Sequence, residues 1–480
     1  VPAPAATSLE RSKEPVPPGL AQAPGWSRLL HAARSGVSGG LIALREPDGT
    51  PVVLGAGETL RFDPPNAFGR YGGILSQVND ADGFVAERSS ADPLGPVRAA
   101  IRHGGSWAGW LSYDIGRLLE PAAAARRPRS TGWPLILLRE VRHASDAVAV
   151  PPRSDGSGSR LSASTATSAT SPWGRAGYTL GVERVLDYIR DGDCYQVNLA
   201  HTLVAPFEGS PRAAFATLAD RADPPFAMYV EAPPEPLTGG GTRHLAMLSL
   251  SPELFLDYDA ASRRVVTRPM KGTRPCVPGA LEELEASEKD RAELAMIVDL
   301  MRNDLGRVCD VGSVRVDVPR RIERHDNAAG GVWQAIAQVS GTLRPECDAA
   351  DLIAATFPAG SVTGAPKIRA MQIIDELEPE PRGIYCGSGI HIRADGSMTL
   401  SVAIRTALIE GVSHAAAAAD ASIAPADDIC GTLRYSVGAG IVADSVPDAE
   451  WRETLVKAGP LGGLVDLRSL AANRLAENHP

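Results

Sequence analysis

Apolar positions along this chain change their period from segment to segment. Over 288–308 they recur at helical spacing, with Leu294, Ile297, Val298, Met301, Leu305 and Val308 on one stripe. Ser287 precedes the stripe as an N-cap, and Asp290 takes the partner position of a capping box. The same reasoning predicts helices over 175–191, 287–308, 348–356, 364–377 and 447–459. Between them lie short runs rich in Val, Ile, Leu and Thr. These predict strands over 195–205, 245–257, 263–269, 334–343, 384–393, 398–409 and 433–442. Strands often follow strands with no helix between them, which argues against a Rossmann alternation. The predicted class is α+β, with large antiparallel β-sheets flanked by helices.

Small polar residues interrupt the pattern and suggest the organisation. Residues 1–22 read as a disordered lead-in and 23–145 as an N-terminal region of short β-prone runs. Residues 146–172, rich in Ser, Thr, Gly and Pro, read as a flexible insertion, and 173–480 hold the remaining pattern. A second low-complexity loop, alanine-rich, spans 413–428.

Charge narrows the partners. The formal net charge of −9 argues against nucleic acid, and a small anionic substrate would need local help against that field. Six cysteines lie scattered without a CxxC pair, so they read as free thiols in a reducing compartment. No apolar run approaches the roughly 20 residues needed to cross a bilayer. No membrane partner and a cytoplasmic location are expected.

Several residues can carry chemistry. In "TRPMKGTRP" a strand-forming run stops and Lys271 stands at the bend before Gly272, as a solvated charge or as a nucleophile aimed into a cleft. Glu293 falls at the edge of the 288–308 stripe, where it can pair with a neighbouring base or serve a site. On the wheel of "SVPDAEWRETLVKAG", capped by Ser445, Glu450, Glu453 and Lys457 share an arc of about 60°. That arc is a salt-bridged surface or two carboxylates offered to one hard cation. Glu253, after the Ser-Pro turn of "LSLSPELFLDY", caps a turn or sits desolvated, with a raised pKa that suits a general acid. Gly364, Ala365 and Pro366 open a predicted helix whose N–H groups can face an anion, or simply make the turn. "GAGIVAD" lacks the glycine pattern of a dinucleotide loop.

The order of these blocks is more specific than any one of them. "DCYQVNL", "SPELFL", "RPMKGTRP", "SEKDRAELAMIVDLMRNDLGRV", "FPAGSVTGAPKIRAMQIIDELEP", "RGIYCGSG", "IRTAL", "GAGIVADS" and "AEWRETLVKA" run from about 190 to 459. With "GWLSYDIGRLLE" in the N-terminal third, the chain resembles the chorismate-utilising enzymes. That family includes anthranilate, aminodeoxychorismate, isochorismate and salicylate synthases.

The resemblance implies chorismate binding within 173–480 and chorismate plus ammonia as substrates. Relatives that make anthranilate carry alanine at the position of Lys271, and those that make isochorismate or salicylate carry lysine at Gln196. Both positions therefore imply the aminodeoxychorismate synthase branch, which forms 4-amino-4-deoxychorismate for folate or a specialised metabolite. The resemblance also implies roles: Lys271 as nucleophile, Glu253 as general acid, and Glu293, Glu450 and Glu453 as ligands of magnesium. Arg405, Lys457, Tyr385, Gln196 and the backbone of Gly438, Ala439 and Gly440 would take the carboxylates and ring. Gln334, where many relatives have histidine, departs from the pattern. No Gly-x-Cys-x-Gly nucleophile elbow is present, so a separate glutamine amidotransferase subunit is the expected ammonia source.

Overall fold

The computed structural model describes Trp26 and residues 41–45, 50–63, 73–78, 85–123, 131–142, 167–327, 330–413, 428–468 and Leu470. The predicted lead-in, most of the predicted insertion and 414–427 of the alanine-rich loop lie outside the described residues. Thr167–Ser168, near the end of that insertion, pairs with Val465–Asp466. This is the single parallel pairing among the described strands.

All other pairings are antiparallel and form two large sheets. One run starts at Gln196–Gly209 and passes through Ile429–Ile441, Thr406–Ser413, Thr242–Ser251 and Phe226–Glu231 to Leu41–Arg45. Pro51–Asp63 pairs with Leu41–Arg45 at one end and with Ile136–Arg142 at the other. The second run then continues through Ser106–Leu111, Ser388–Ile392, Met398–Val402, Leu254–Asp259, Arg264–Arg268 and Val332–Thr342 to Arg315–His325. Met270–Pro275 extends the edge begun by Arg264–Arg268. N-terminal strands thus enter the same ladder as C-terminal ones, and one core joins Phe62 and Trp107 to Leu256, Phe357 and Met371.

The helices form close to where their patterns place them: Gly174–Arg190, Glu288–Gly306, Ala349–Thr356 and Pro447–Lys457. Leu294, Ile297, Val298, Met301 and Leu305 bury the stripe of the second, each fully buried aliphatic contributing about 1.5–3 kcal/mol. Ser287 caps it by accepting from the Asp290 N–H at 3.2 Å.

Four expectations change. The helix expected from 364 begins at Lys367, because Gly364 and Ala365 instead pair with Val197 and Gln196. Their backbone is committed to a strand and presents no N-terminal turn to an anion. Ser445 does not cap Pro447–Lys457; its hydroxyl accepts from the Val442 N–H, and Val446 takes the cap position. The run 398–409 breaks into Met398–Val402 and Thr406–Ser413 around Arg405, whose φ is 52°. Arg315–His325, polar and interrupted by Pro319, was not anticipated as a strand. It lies at the end of the ladder, where proline is tolerated.

All six cysteines are free, and no helix among the described residues is long and apolar enough to cross a membrane.

The segments around the cleft are tied by one buried ion pair. Arg382 donates to both Glu378 oxygens, at 2.9 and 2.7 Å, and to the carbonyls of Val362 and Asn198 at 2.8 and 2.5 Å. Replacing Arg382 with Met would leave Glu378 buried without its cation. A loss of about 3–5 kcal/mol is expected in urea unfolding at neutral pH, with part regained when Glu378→Gln is added. A loss below 1 kcal/mol would show that the pair is dispensable.

Candidate active site

Lys271 lies within a strand, Met270–Pro275, and not at a free bend. The pairing of that strand with Val332–Thr342 slips between Met270 and Thr273, a bulge that re-aims the intervening side chains. Gly272 makes the bulge possible. Its φ is 85°, and a Cβ there would meet Leu284 Cδ1 and Asp290 Cγ at 2.8 Å. The chain thereby turns Lys271 inward, its side chain 14% exposed, with Nζ 3.7 Å from Glu293 Oε2.

The opposite wall is a strip of glycine backbone. Gly438, Ala439 and Gly440 pair with Ala200, Leu199 and Asn198. A Cβ on Gly440 would fall 2.9 Å from Gln196 Nε2 and 3.2 Å from Lys271 Nζ. A Cβ on Gly438 would lie 3.1 Å from the Tyr385 hydroxyl. Any side chain at either glycine would fill the space between these groups. Lys457 reaches the same strip, donating from Nζ to the Gly438 carbonyl at 2.9 Å. Gln196 is fully buried, and neither polar atom of its amide has a hydrogen-bond partner. Gln334 is buried on the neighbouring strand, in register with Thr273.

Glu253 sits where Thr242–Ser251 gives way to Leu254–Asp259, fixed by two backbone contacts. Its N–H donates to Ser251 Oγ at 3.3 Å, and its carbonyl accepts from the Val402 N–H at 3.0 Å. Burial pushes its carboxyl up to about 7, against a hydrogen bond from Ser361 and the charges of Lys271 and Arg405. It is a carboxylic acid that can hold its proton near neutrality. Burial also lowers the Arg405 guanidinium from its ordinary value, with Tyr435 and Glu253 opposing.

Glu450 and Glu453 lie one turn apart on Pro447–Lys457, and Glu293 lies on Glu288–Gly306. Burial raises Glu450, opposed by a hydrogen bond with Ser445 and reinforced by the charge of Glu453. Burial also presses Glu453 upward, but its ion pair with Lys457 at 2.8 Å, with Lys271 and Lys289 behind, holds it below the usual carboxylate range. Among the described residues no three acidic, His or Cys side chains converge closely enough to hold a metal. The donor set nonetheless suits a hard divalent cation. All three are carboxylates near Lys289, and Glu450 Oε2 is buried without a partner.

Some contributors were not singled out from sequence. Ser361 stands in a block read only as a turn, and Lys289 reaches Glu293 at 3.9 Å across i,i+4, a spacing visible in the sequence. His201 is buried beside the acidic helix, and desolvation pushes its imidazole down to about 3.

Two cavities are lined by residues other than Lys271, Glu253 and Gln196. One, of about 430 Å³, lies among Leu44, Met228, His325 and His391. A narrower one opens beside Ala200, Arg382, Tyr385 and Ser436.

Residues 50–462 match the family model described as chorismate binding enzyme. The chain is 34% identical over 472 residues to an aminodeoxychorismate synthase component 1 of Klebsiella aerogenes, covering 90% of this chain and 92% of that one. It is 39% identical over 299 residues to an anthranilate synthase component 1 of Haloarcula marismortui, covering 61% and 52%. It is 40% identical over 280 residues to the Escherichia coli aminodeoxychorismate synthase component 1, covering 57% and 54%. The last two matches span about half the length of those relatives. The solved anthranilate synthase component I of Streptococcus pneumoniae shares the fold, with a TM-score of 0.62 at 24% identity over 88% of this chain and 91% of that one.

The raised pKa of Glu253 gives a stability test. Between about pH 4.5 and 7 the folded chain keeps a proton that the unfolded chain has released. The stability so gained is complete at low pH and lost as pH rises through that window. Relative to Glu253→Gln, the wild type should weaken by about 1.4 kcal/mol per pH unit there. Urea unfolding of both proteins at pH 5 and pH 8 measures the difference, and parallel pH dependences would contradict a raised Glu253.

Proposed function

This chain belongs to the chorismate binding enzyme family, and from that premise we propose that it converts chorismate and ammonia to 4-amino-4-deoxychorismate and water. The observation that carries the reading is an inward-facing Lys271 beside the unpartnered Gln196 amide, next to an acid, Glu253, that holds its proton near neutral pH. Lys271 attacks C2 of the ring as the neutral amine, and both ring double bonds shift as the C4–O bond breaks. Glu253 donates the proton with which that hydroxyl leaves as water. Ammonia then adds at C4, both double bonds shift back, and the C2–N bond to Lys271 breaks. The ammonium proton returns to Glu253, and the proton shed by Lys271 returns to its nitrogen, so both groups are restored.

Arg405, Lys457 and the Gly438–Gly440 backbone orient the substrate's carboxylates, with Tyr385 against its ring. Glu293, Glu450 and Glu453 would hold magnesium, which when bound supplies positive charge for a substrate carboxylate. Three carboxylates drawn together repel by roughly 4 kcal/mol per pair at 4 Å and an effective dielectric of 20, which a divalent cation offsets. Ammonia would come from a separate glutamine amidotransferase subunit. That the Haloarcula relative is named an anthranilate synthase supports a second reading, in which ammonia adds at C2 to give 2-amino-2-deoxyisochorismate or anthranilate.

Product analysis from chorismate, magnesium and ammonium, with and without a lyase that aromatises the 4-amino product, separates the two. The 4-amino compound is expected, and a product aminated at C2 would replace the first reading by the second. Lys271→Ala should abolish the 4-amino product while keeping a cooperative urea unfolding transition. The wild-type Lys271 peptide should carry a trapped adduct by mass. An alanine variant that makes the 4-amino product at a near wild-type rate would exclude covalent catalysis.

A further inference from the structure

His201 is buried on Gln196–Gly209, outside the set of groups that face the cleft. Its two nitrogens have fixed partners, Nδ1 against Ser171 Oγ at 3.1 Å and Nε2 against Thr454 Oγ1 at 2.9 Å. The Trp451 carbonyl, at 2.7 Å, is the nearer acceptor for the Thr454 hydroxyl hydrogen, which leaves the Thr454 oxygen to accept from His201. With the proton on Nε2, Nδ1 accepts from Ser171, whose oxygen takes the Gly174 N–H at 3.3 Å. The Nε2–H tautomer therefore satisfies all three side chains.

The imidazole also lies flat on Trp451, with centroids 4.6 Å apart and planes at 26°, and Tyr178 meets it edge-on at 5.0 Å. Trp451 and Thr454 are the immediate neighbours of Glu450 and Glu453 on the same helix. A contact that holds residues 451 and 454 sets the helix's rotation about its own axis, and so the direction in which 450 and 453 point.

We propose that His201, as the neutral Nε2–H imidazole, is a positioning residue that sets the rotation of Pro447–Lys457 and thereby aims Glu450 and Glu453 at the cleft. The consequence for cation binding rests on the proposed function, in which those glutamates serve magnesium; the effect on the helix does not.

The test uses the full chain with two variants, His201→Phe, which keeps a ring and loses both hydrogen bonds, and Thr454→Val, which removes the acceptor. Val230→Ala, in a separate core cluster, controls for general destabilisation. Hydrogen–deuterium exchange without metal should show faster exchange over 447–457 in both variants and not in the control. Ring 15N shifts of wild-type His201 should report the Nε2–H form. Calorimetric titration with magnesium chloride should show affinity lowered by about tenfold or more in both variants, with the control unchanged. The double variant should lose no more than the worse single one. Unchanged exchange over 447–457 in the variants, or a protonated Nδ1, overturns the proposal. If exchange changes as expected but wild-type magnesium binding is indifferent to Glu453→Gln, the helix clamp stands and the metal reading of the site falls.

Discussion

The guanidinium of Arg382 is the constraint on which the cleft depends. It is buried with Glu378, lies 4.7 Å from the ring of Tyr113 and 6.0 Å from that of Tyr385, and spends its donors on four oxygens. Glu378 in turn accepts from the Ala200 N–H at 2.9 Å. The pair thus fixes the strand carrying Gln196, the turn that ends at Val362 and the segment that delivers Tyr385. Next to it, Gly383 accepts from the Tyr113 N–H and donates to Asp114, which locks the N-terminal part of the chain onto the same point. Burying a charge this deeply is tolerable because the hydrogen bonds replace what water supplied.

Around that frame, environment separates side chains of one chemical type. Glu253 and Glu453 are both carboxylic acids close to Lys271. One is desolvated without an ion pair and rises to about 7, and the other is held down by Lys457 at 2.8 Å. One side chain can therefore donate a proton while the other stays charged, the division of labour that acid-assisted chemistry at neutral pH requires. The difference comes from what surrounds each residue and not from its identity.

The sequence carried much of this, in proportion to how local the cause was. The stripe from Leu294 to Leu305 and the cap at Ser287 follow from spacing, and both form where expected. Lys271, Gln196 and Gly440 were named from their motifs, but their meeting depends on strand register and a bulge at Gly272, which no periodicity encodes. Arg315–His325 escaped notice because its residues alternate between exposed and half-buried, with none fully buried, along a polar run. His201 escaped for a different reason. A lone histidine in a strand gives no signal until Thr454, from a helix 253 residues away, supplies its partner.

The charges at the cleft also bear on why a divalent cation would suit the proposed reaction. In the proposed reaction Lys271 attacks carbon without its proton, so it would not count as a cation at that moment. Arg405, Lys457 and Lys289 then stand against Glu293, Glu450 and Glu453, three formal charges of each sign, with Glu253 neutral. A substrate with two carboxylates would meet no net attraction there, within a protein whose formal charge is −9. Removing the glutamates would restore attraction but expose the basic groups to any passing anion. Keeping them and filling their lone pairs with a doubly charged ion would make the field positive only when that ion is present. The unpartnered oxygen of Glu450 is consistent with such an arrangement, since a buried carboxylate oxygen with no donor is costly unless a cation completes it.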